Sequence, residues 1–108
     1  MERTLISNLP QHIEDEVTIQ GWLHTLRDQK NMQFLIVRDR TGLVQVAHYK
    51  KGDLELAEKI STLGTESALA ITGKVVKNDI VKLGGLEIQL QDLKVEGAAE
   101  IPLPFEPF

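Results

Sequence analysis

Five strand-like stretches and a single helical one follow each other in a fixed order along these 108 residues, and few folds accept that order. Val17, Ile19 and Gly21 alternate with Thr18 and Gln20, the period of two that marks a half-buried strand, and the stretch runs on to Arg27. Glycine inside such a stretch suggests a bulge or a sharp coil at Gly21. Asp28-Gln-Lys-Asn31 is polar enough for a turn, and Met32 to Asp39 forms a second, more apolar strand. Arg40-Thr-Gly42 makes a tight connection to a third strand over Leu43 to Tyr49. From Asp53 to Leu63 the period changes. Leu54, Ala57, Ile60 and Leu63 lie three apart, which predicts a helix with one apolar face, an N-cap at Asp53 and a stop at Gly64. Ala68 to Val76 and the alternating Leu86-Glu-Ile-Gln-Leu-Gln91 supply strands four and five. Lys82-Leu-Gly-Gly-Leu86 between them carries hairpin-turn chemistry, because glycine accepts the positive φ such turns need. A short apolar lead-in, Thr4 to Pro10, precedes everything and is expected to stop at its proline.

This order fits an all-β fold with one helix: the five-stranded Greek-key barrel called the OB-fold, its helix between strands three and four. A generic α+β sandwich gives much the same string, so the pattern leaves both open. The predicted domain covers residues 1–100, because 101–108 hold three prolines, which is linker composition. Apolar runs such as Phe34-Leu-Ile-Val37 fall far short of the roughly 20 residues of a spanning helix, and no membrane partner is expected. Met1-Glu-Arg-Thr shows no secretory signal, and the chain has no cysteine, so cytoplasmic localisation is the expectation.

Catalysis finds little support. His12, His24 and His48 fall in three separate segments without metal-ligand spacing, and none of Ser7, Ser61 or Ser67 has a base beside it in a recognisable arrangement. Gly84-Gly85 is no phosphate loop, since it lacks the following Lys-Ser/Thr and leads into a strand. Charge is more informative. The net −4 argues against indiscriminate binding of polyanions, yet Arg27, Lys30, Arg38, Arg40, Lys50 and Lys51 against Asp28 and Asp39 leave residues 21–52 at +4. Lys74, Lys77 and Lys82 against Asp79 leave residues 74–82 at +2. A polyanion should meet those two segments.

Strand alternation carries the argument to a surface. If Leu35, Val37, Val44 and Val46 fill the barrel, Phe34 and Gln45 lie outside it, close together on adjacent strands. OB-folds bind oligonucleotides over this face, combining aromatic stacking with a basic groove, and Phe34 flanked by Arg27, Lys30, Arg38 and Arg40 offers both. The competing facing puts Phe34 inside with Ile36 and makes Gln45 an ordinary surface amide. Periodicity alone does not choose between them.

Gly21-Trp-Leu-His-Thr-Leu-Arg-Asp28 followed by Met32-Gln-Phe-Leu-Ile-Val-Arg-Asp-Arg-Thr-Gly-Leu-Val-Gln45 closely resembles the N-terminal anticodon-binding domain of aspartyl-tRNA synthetases. That domain is an OB-fold shared with the asparagine and lysine class II enzymes. The resemblance extends over nearly the whole chain, and Arg-Asp-Arg-Thr-Gly-Leu-Val-Gln looks like the aspartate branch. It implies a tRNA anticodon stem-loop as partner, with Phe34 stacking on the central anticodon uracil and Gln45 reading that base. One amide can donate to O4 and accept from N3–H, a pattern cytosine does not present. It further implies that Arg27 contacts the anticodon bases or backbone. Lys30, Arg38 and Lys82, from the two basic segments, are further candidate tRNA-binding positions. His24 stands where enzymes restricted to one tRNA often carry tryptophan, so it resembles forms that accept both Asp and Asn tRNAs. A second determinant lies in the loop near Lys77 to Gly85. No cofactor is implied for this stretch: ATP and magnesium belong to the family's catalytic domain, through which the parent enzymes are homodimers. Since no catalytic domain follows Phe108, the expectation is a non-catalytic piece of an ATP-dependent aspartate–tRNA ligase, with 101–108 its hinge. A free-standing, non-specific single-strand binder is the alternative.

Overall fold

A computed structural model of the chain describes residues 3–81 and 84–97. Its strands are β1 (Glu16–Asp28), β2 (Met32–Asp39), β3 (Gly42–Tyr49), β4 (Ala68–Lys77) and β5 (Leu86–Gly97), with one α-helix, α1 (Leu54–Ser61), between β3 and β4. They close into a barrel in the order β1-β2-β3-β5-β4. Antiparallel pairing of β1 with β4 shuts it, and β3 runs parallel to β5. This is the OB-fold barrel, and the sandwich alternative is excluded by closure. No strand edge of the barrel is left without a neighbour.

The inward face is the predicted one. Leu35, Val37, Val44 and Val46 are fully buried with Ile19, Leu23, Ile71 and Ile88. Each such side chain contributes roughly 1.5–3 kcal/mol over leaving it in water. Gly21 is buried where β1 crosses β2: a β-carbon there would lie 2.5 Å from the Arg38 carbonyl oxygen. Close approach therefore explains the glycine. The bulge comes three residues later, where the β1–β2 register slips between Leu23 and Thr25 at His24.

Both ends of the barrel are plugged. Residues Ile6–His12 form a 3-10 turn that contains Pro10 instead of stopping at it, and bury Ile6 and Leu9. Asp39, at the end of β2, holds this turn: its Oδ2 accepts from the Ile6 N–H at 2.9 Å, and its Oδ1 accepts from the Thr41 and Gly42 N–H groups at 2.7 and 3.1 Å. Burial pushes the Asp39 carboxyl up, but the Thr41 hydroxyl and these N–H groups more than offset it, holding the group below its ordinary range. At the opposite end α1 buries Leu56, Ala57 and Ile60. Gln33, at the start of β2, donates from Nε2 to the Ala57 carbonyl at 2.9 Å and faces His48 Nδ1 at 3.0 Å through Oε1.

Three local expectations are corrected. Leu54 is 71% exposed, and Leu56 takes its place on the buried face. The helix ends at Ser61 on Thr62, before Gly64, which has no positive φ. β5 continues past Gln91 to Gly97. The Asp53 cap holds, accepting from the Leu56 N–H at 3.0 Å, and Gly84 and Gly85 take φ of 78° and 71° as the hairpin requires. Among the described residues no helix is long and apolar enough to cross a membrane. Lys82 and the Pro-rich 101–108 lie outside the described residues.

Candidate nucleic-acid interface

Outside the barrel, β1, β2, β3 and β5 and the β4–β5 loop enclose an open cleft of about 510 Å³. Phe34 and Ile36 of β2 form its floor, because Gln33, Leu35 and Val37 on either side are turned inward. Both outward side chains are half-buried. Gln45 comes from β3, directly across from Ile36 in the register. Phe34 and Gln45 therefore do share one outward surface, and the alternative facing is excluded.

Arg27 reaches the same cleft through the bulge. From Val17 to Leu23 odd-numbered residues face inward, and unbroken alternation would bury Arg27 and expose Leu26. The extra residue at His24 reverses the phase. Leu26 pairs with Leu35 and packs on the core, while Arg27 pairs with Phe34 on the outside. Among the described residues Arg27 has no ion-pair partner.

The remaining predicted positions disperse. His24 is exposed, its Nδ1 2.8 Å from Thr25 Oγ1, and does not line the cleft. Lys30 is exposed in the β1–β2 turn. Arg38 sits at the other end of β2, over the Trp22 ring at 5.6 Å and paired with Glu66 at 2.9 Å. The basic groove expected around Phe34 thus contracts to Arg27, with Lys30 in the β1–β2 turn and Lys77 at the end of β4.

The loop near Lys77 to Gly85 was expected at the site, but its individual cleft residues and several others were not singled out in the sequence. Met32 and Ala47 complete the apolar floor, and Asn78, Ile80 and Val81 bring in the β4–β5 loop. Ile80 is 87% exposed, and the apolar pair Ile80-Val81 directly after Asn78-Asp79 was the signal that could have found it. Glu87 is held beside Gln45 by the parallel β3–β5 pairing, and Gln45 Nε2 donates to its Oε1 at 3.0 Å. Only the barrel topology could have predicted that neighbour. Nearby, Lys50 Nζ lies 2.6 Å from Asp28 Oδ1 and holds that carboxyl below its ordinary range.

The surface offers an aromatic ring, an amide and a free guanidinium around an apolar floor, suited to a flat heteroaromatic base with a phosphate nearby. Among the described residues no group of three or more His, Asp or Glu is arranged to hold a metal ion.

Known proteins carry the same barrel. The asparagine–tRNA ligase of Desulforamulus reducens is 41% identical over 100 residues, 93% of this chain and 23% of that protein. The aspartate–tRNA(Asp/Asn) ligase of Methanocaldococcus jannaschii is 40% identical over 91% of this chain and 22% of its own length. Asparaginyl-tRNA synthetase of Pyrococcus horikoshii, solved with asparaginyl-adenylate, superposes with a TM-score of 0.83 at 31% identity, over 96% of this chain and 24% of that one. The chain thus spans under a quarter of these relatives' lengths. The sequence model of the tRNA anticodon OB-fold nucleic acid binding domain matches residues 17–96, and the chain belongs to that family of anticodon-binding domains.

Proposed function

We propose that the outer cleft binds the anticodon loop of a tRNA, with the central uracil stacked on Phe34, Gln45 on its Watson–Crick edge and Arg27 on a neighbouring base or phosphate. The juxtaposition of those three side chains in one 510 Å³ cleft carries this reading. Lys30 adds charge in the β1–β2 turn, Lys82 is a further tRNA-binding position, and Arg38 contributes only if RNA extends toward Trp22. In the whole protein, residues 1–100 position tRNA and 101–108 lead to a catalytic domain that joins aspartate to it in the cytoplasm. That domain handles ATP and magnesium and makes the homodimer.

The relatives' names include asparagine–tRNA, aspartate–tRNA(Asp) and aspartate–tRNA(Asp/Asn) ligases at 40–41% identity. His24 in place of tryptophan supports acceptance of both Asp and Asn tRNAs, whose anticodons differ only in the third base.

Binding of RNA hairpins that differ only in the central loop base tests the proposal. A U hairpin should bind more tightly than a C hairpin, and Phe34→Ala should weaken it by about 1–3 kcal/mol, the worth of one stacked base. Equal affinity for U and C would favour a non-specific single-strand binder. Indifference to hairpins differing in the third anticodon base is the outcome expected of dual tRNA range.

A further inference from the structure

Past the cleft, the outward face of β2 and β3 continues for one more rung, and that rung carries the chain's one tyrosine. Phe34 lies opposite Ala47 in the β2–β3 register, and Met32 lies opposite Tyr49. Residues two apart on a strand share a face, so Met32 and Tyr49 point outward with Phe34 and Ala47. Met32 and Ala47 line the cleft floor, and Tyr49 stands just past them, 53% exposed. Phe34 and Tyr49 are diagonal neighbours on antiparallel strands, a relation that spans about 7–8 Å and is within reach of aromatic side chains. The backbone under Tyr49 is fixed from two sides. β3 pairs with β2 up to this residue, and the next N–H, of Lys50, donates to the Asn31 carbonyl at 2.9 Å. Among the described residues its hydroxyl has no hydrogen-bond partner and no cation lies over its ring.

We infer that Tyr49 is a second stacking platform, taking the nucleotide base next to the one on Phe34, an inference that rests on the reading of the cleft proposed above. Every base has a π-face, so the ring asks only for a flat heteroaromatic neighbour. Two rings on adjacent strands of one sheet can hold successive bases of a single strand with no loop to order first. The other ways out of the cleft are worse. Along β2 in the opposite direction the next aromatic is Trp22, but the Arg38 guanidinium already covers its ring at 5.6 Å and is itself tied to Glu66. Across β3 toward β5 the RNA would meet the Glu87 carboxylate, which repels phosphate. At the Tyr49 end the β1–β2 turn presents Lys30, exposed and without an acidic partner among the described residues, one position before the Asn31 carbonyl that Lys50 holds. The acid of that turn, Asp28, is neutralised by Lys50. A strand running from Phe34 over Tyr49 therefore moves toward positive charge. Tyr49 holds its base without choosing it, so it adds affinity and leaves selection to the cleft.

The test measures binding of the 108-residue chain to U-centred RNA hairpins, either intact or abasic at the loop position on one side or the other of the central U. Tyr49→Phe keeps the ring and should bind the intact hairpin within about threefold of wild type. Tyr49→Ala should weaken it by about 5- to 150-fold, the worth of one stacked base. Tyr49→Leu, which keeps apolar bulk opposite Met32 but has no π-face, should weaken it to the same extent. On one of the two abasic hairpins the wild-type chain should lose by that factor, and there Tyr49→Ala and Tyr49→Leu should lose nothing more. Wild-type affinity in Tyr49→Leu overturns the inference. So does a loss that persists on both abasic hairpins, which would assign the ring to a phosphate contact or to the fold. Phe34→Ala and a hairpin abasic at the central position, run alongside, separate the two readings. If both leave affinity at the wild-type level, the reading of the cleft fails and the inference with it. If both weaken binding while Tyr49→Leu does not, the cleft stands and Tyr49 alone is lost.

Discussion

Phe34 and Leu35 are sequence neighbours with opposite duties, and the pair shows how much one residue of register decides. Leu35 is fully buried, whereas Phe34 lies half-exposed in the cleft. Leu35→Ala should therefore cost about 2–5 kcal/mol of stability, the usual range for emptying a leucine site in a core. Phe34→Ala should leave denaturant midpoints close to wild type while weakening hairpin binding. Urea melts of the two variants check this, and a Phe34→Ala chain as unstable as Leu35→Ala would mean that the ring supports the barrel. Gly21 is constrained more tightly than either. Its missing β-carbon would meet the Arg38 carbonyl oxygen at 2.5 Å and Val37 Cγ1 at 2.9 Å. The oxygen belongs to backbone opposite Trp22 in the β1–β2 ladder and cannot retreat without opening it. Gly21→Ala should cost at least about 1–3 kcal/mol by overpacking, read in the same melts.

At the scale of elements, local pattern located the strands and missed what depends on a distant partner. The alternation of β1 is legible as far as Leu23. The bulge at His24 is not, because the phase beyond it is set by Leu26 finding Leu35 across the ladder. That slip places Arg27 beside Phe34, so the candidate site depends on a feature with no local signature. In α1 the three-residue spacing selected Leu54, but the barrel end covers only the side carrying Leu56, Ala57 and Ile60. Docking of α1 also depends on a buried polar link that the sequence did not announce. Gln33 Nε2 is committed to the Ala57 carbonyl, which leaves Oε1 as acceptor and requires the proton of neutral His48 on Nδ1. Burial depresses the His48 pKa, and the nearby Asp53 charge offsets this only in part. The unfolded chain, where histidine titrates near 6.5, therefore takes up its proton first as the pH falls. Stability should be full above about pH 6.5 and decline below it, by at most about 1.4 kcal/mol per pH unit from this group. Asp28 and Asp39, both held below the ordinary carboxylate range, lose their contributions only at much lower pH. Melts between about pH 7.5 and 5 on wild type and His48→Gln separate the cause. If the variant keeps the same slope, some other group is responsible.

For the whole molecule, charge and closure set the terms of binding. The barrel has no open edge, so the cleft is a surface on a closed scaffold, and binding need not wait for a strand to be ordered. The net charge of −4 means that long-range attraction for RNA must come from local cations. Of these, Arg38 is taken by Glu66, Lys50 by Asp28 and Lys74 by Glu14. Among the described residues Arg27, Lys30 and Lys77 remain near the cleft, which sets the phosphates they neutralise at about two or three. For single-stranded RNA each neutralised phosphate contributes about −0.7 to the slope of log affinity against log salt, so the slope should be about −1.4 to −2.1. Raising salt fourfold should then weaken hairpin binding only about 7- to 18-fold. Titrations at several salt concentrations measure the slope directly. A much steeper value would recruit Arg3, Arg38 and Arg40 at the far end of the barrel and extend the RNA footprint beyond the loop. A flat one would remove phosphate contact and leave stacking and the Gln45 amide to carry the whole interaction.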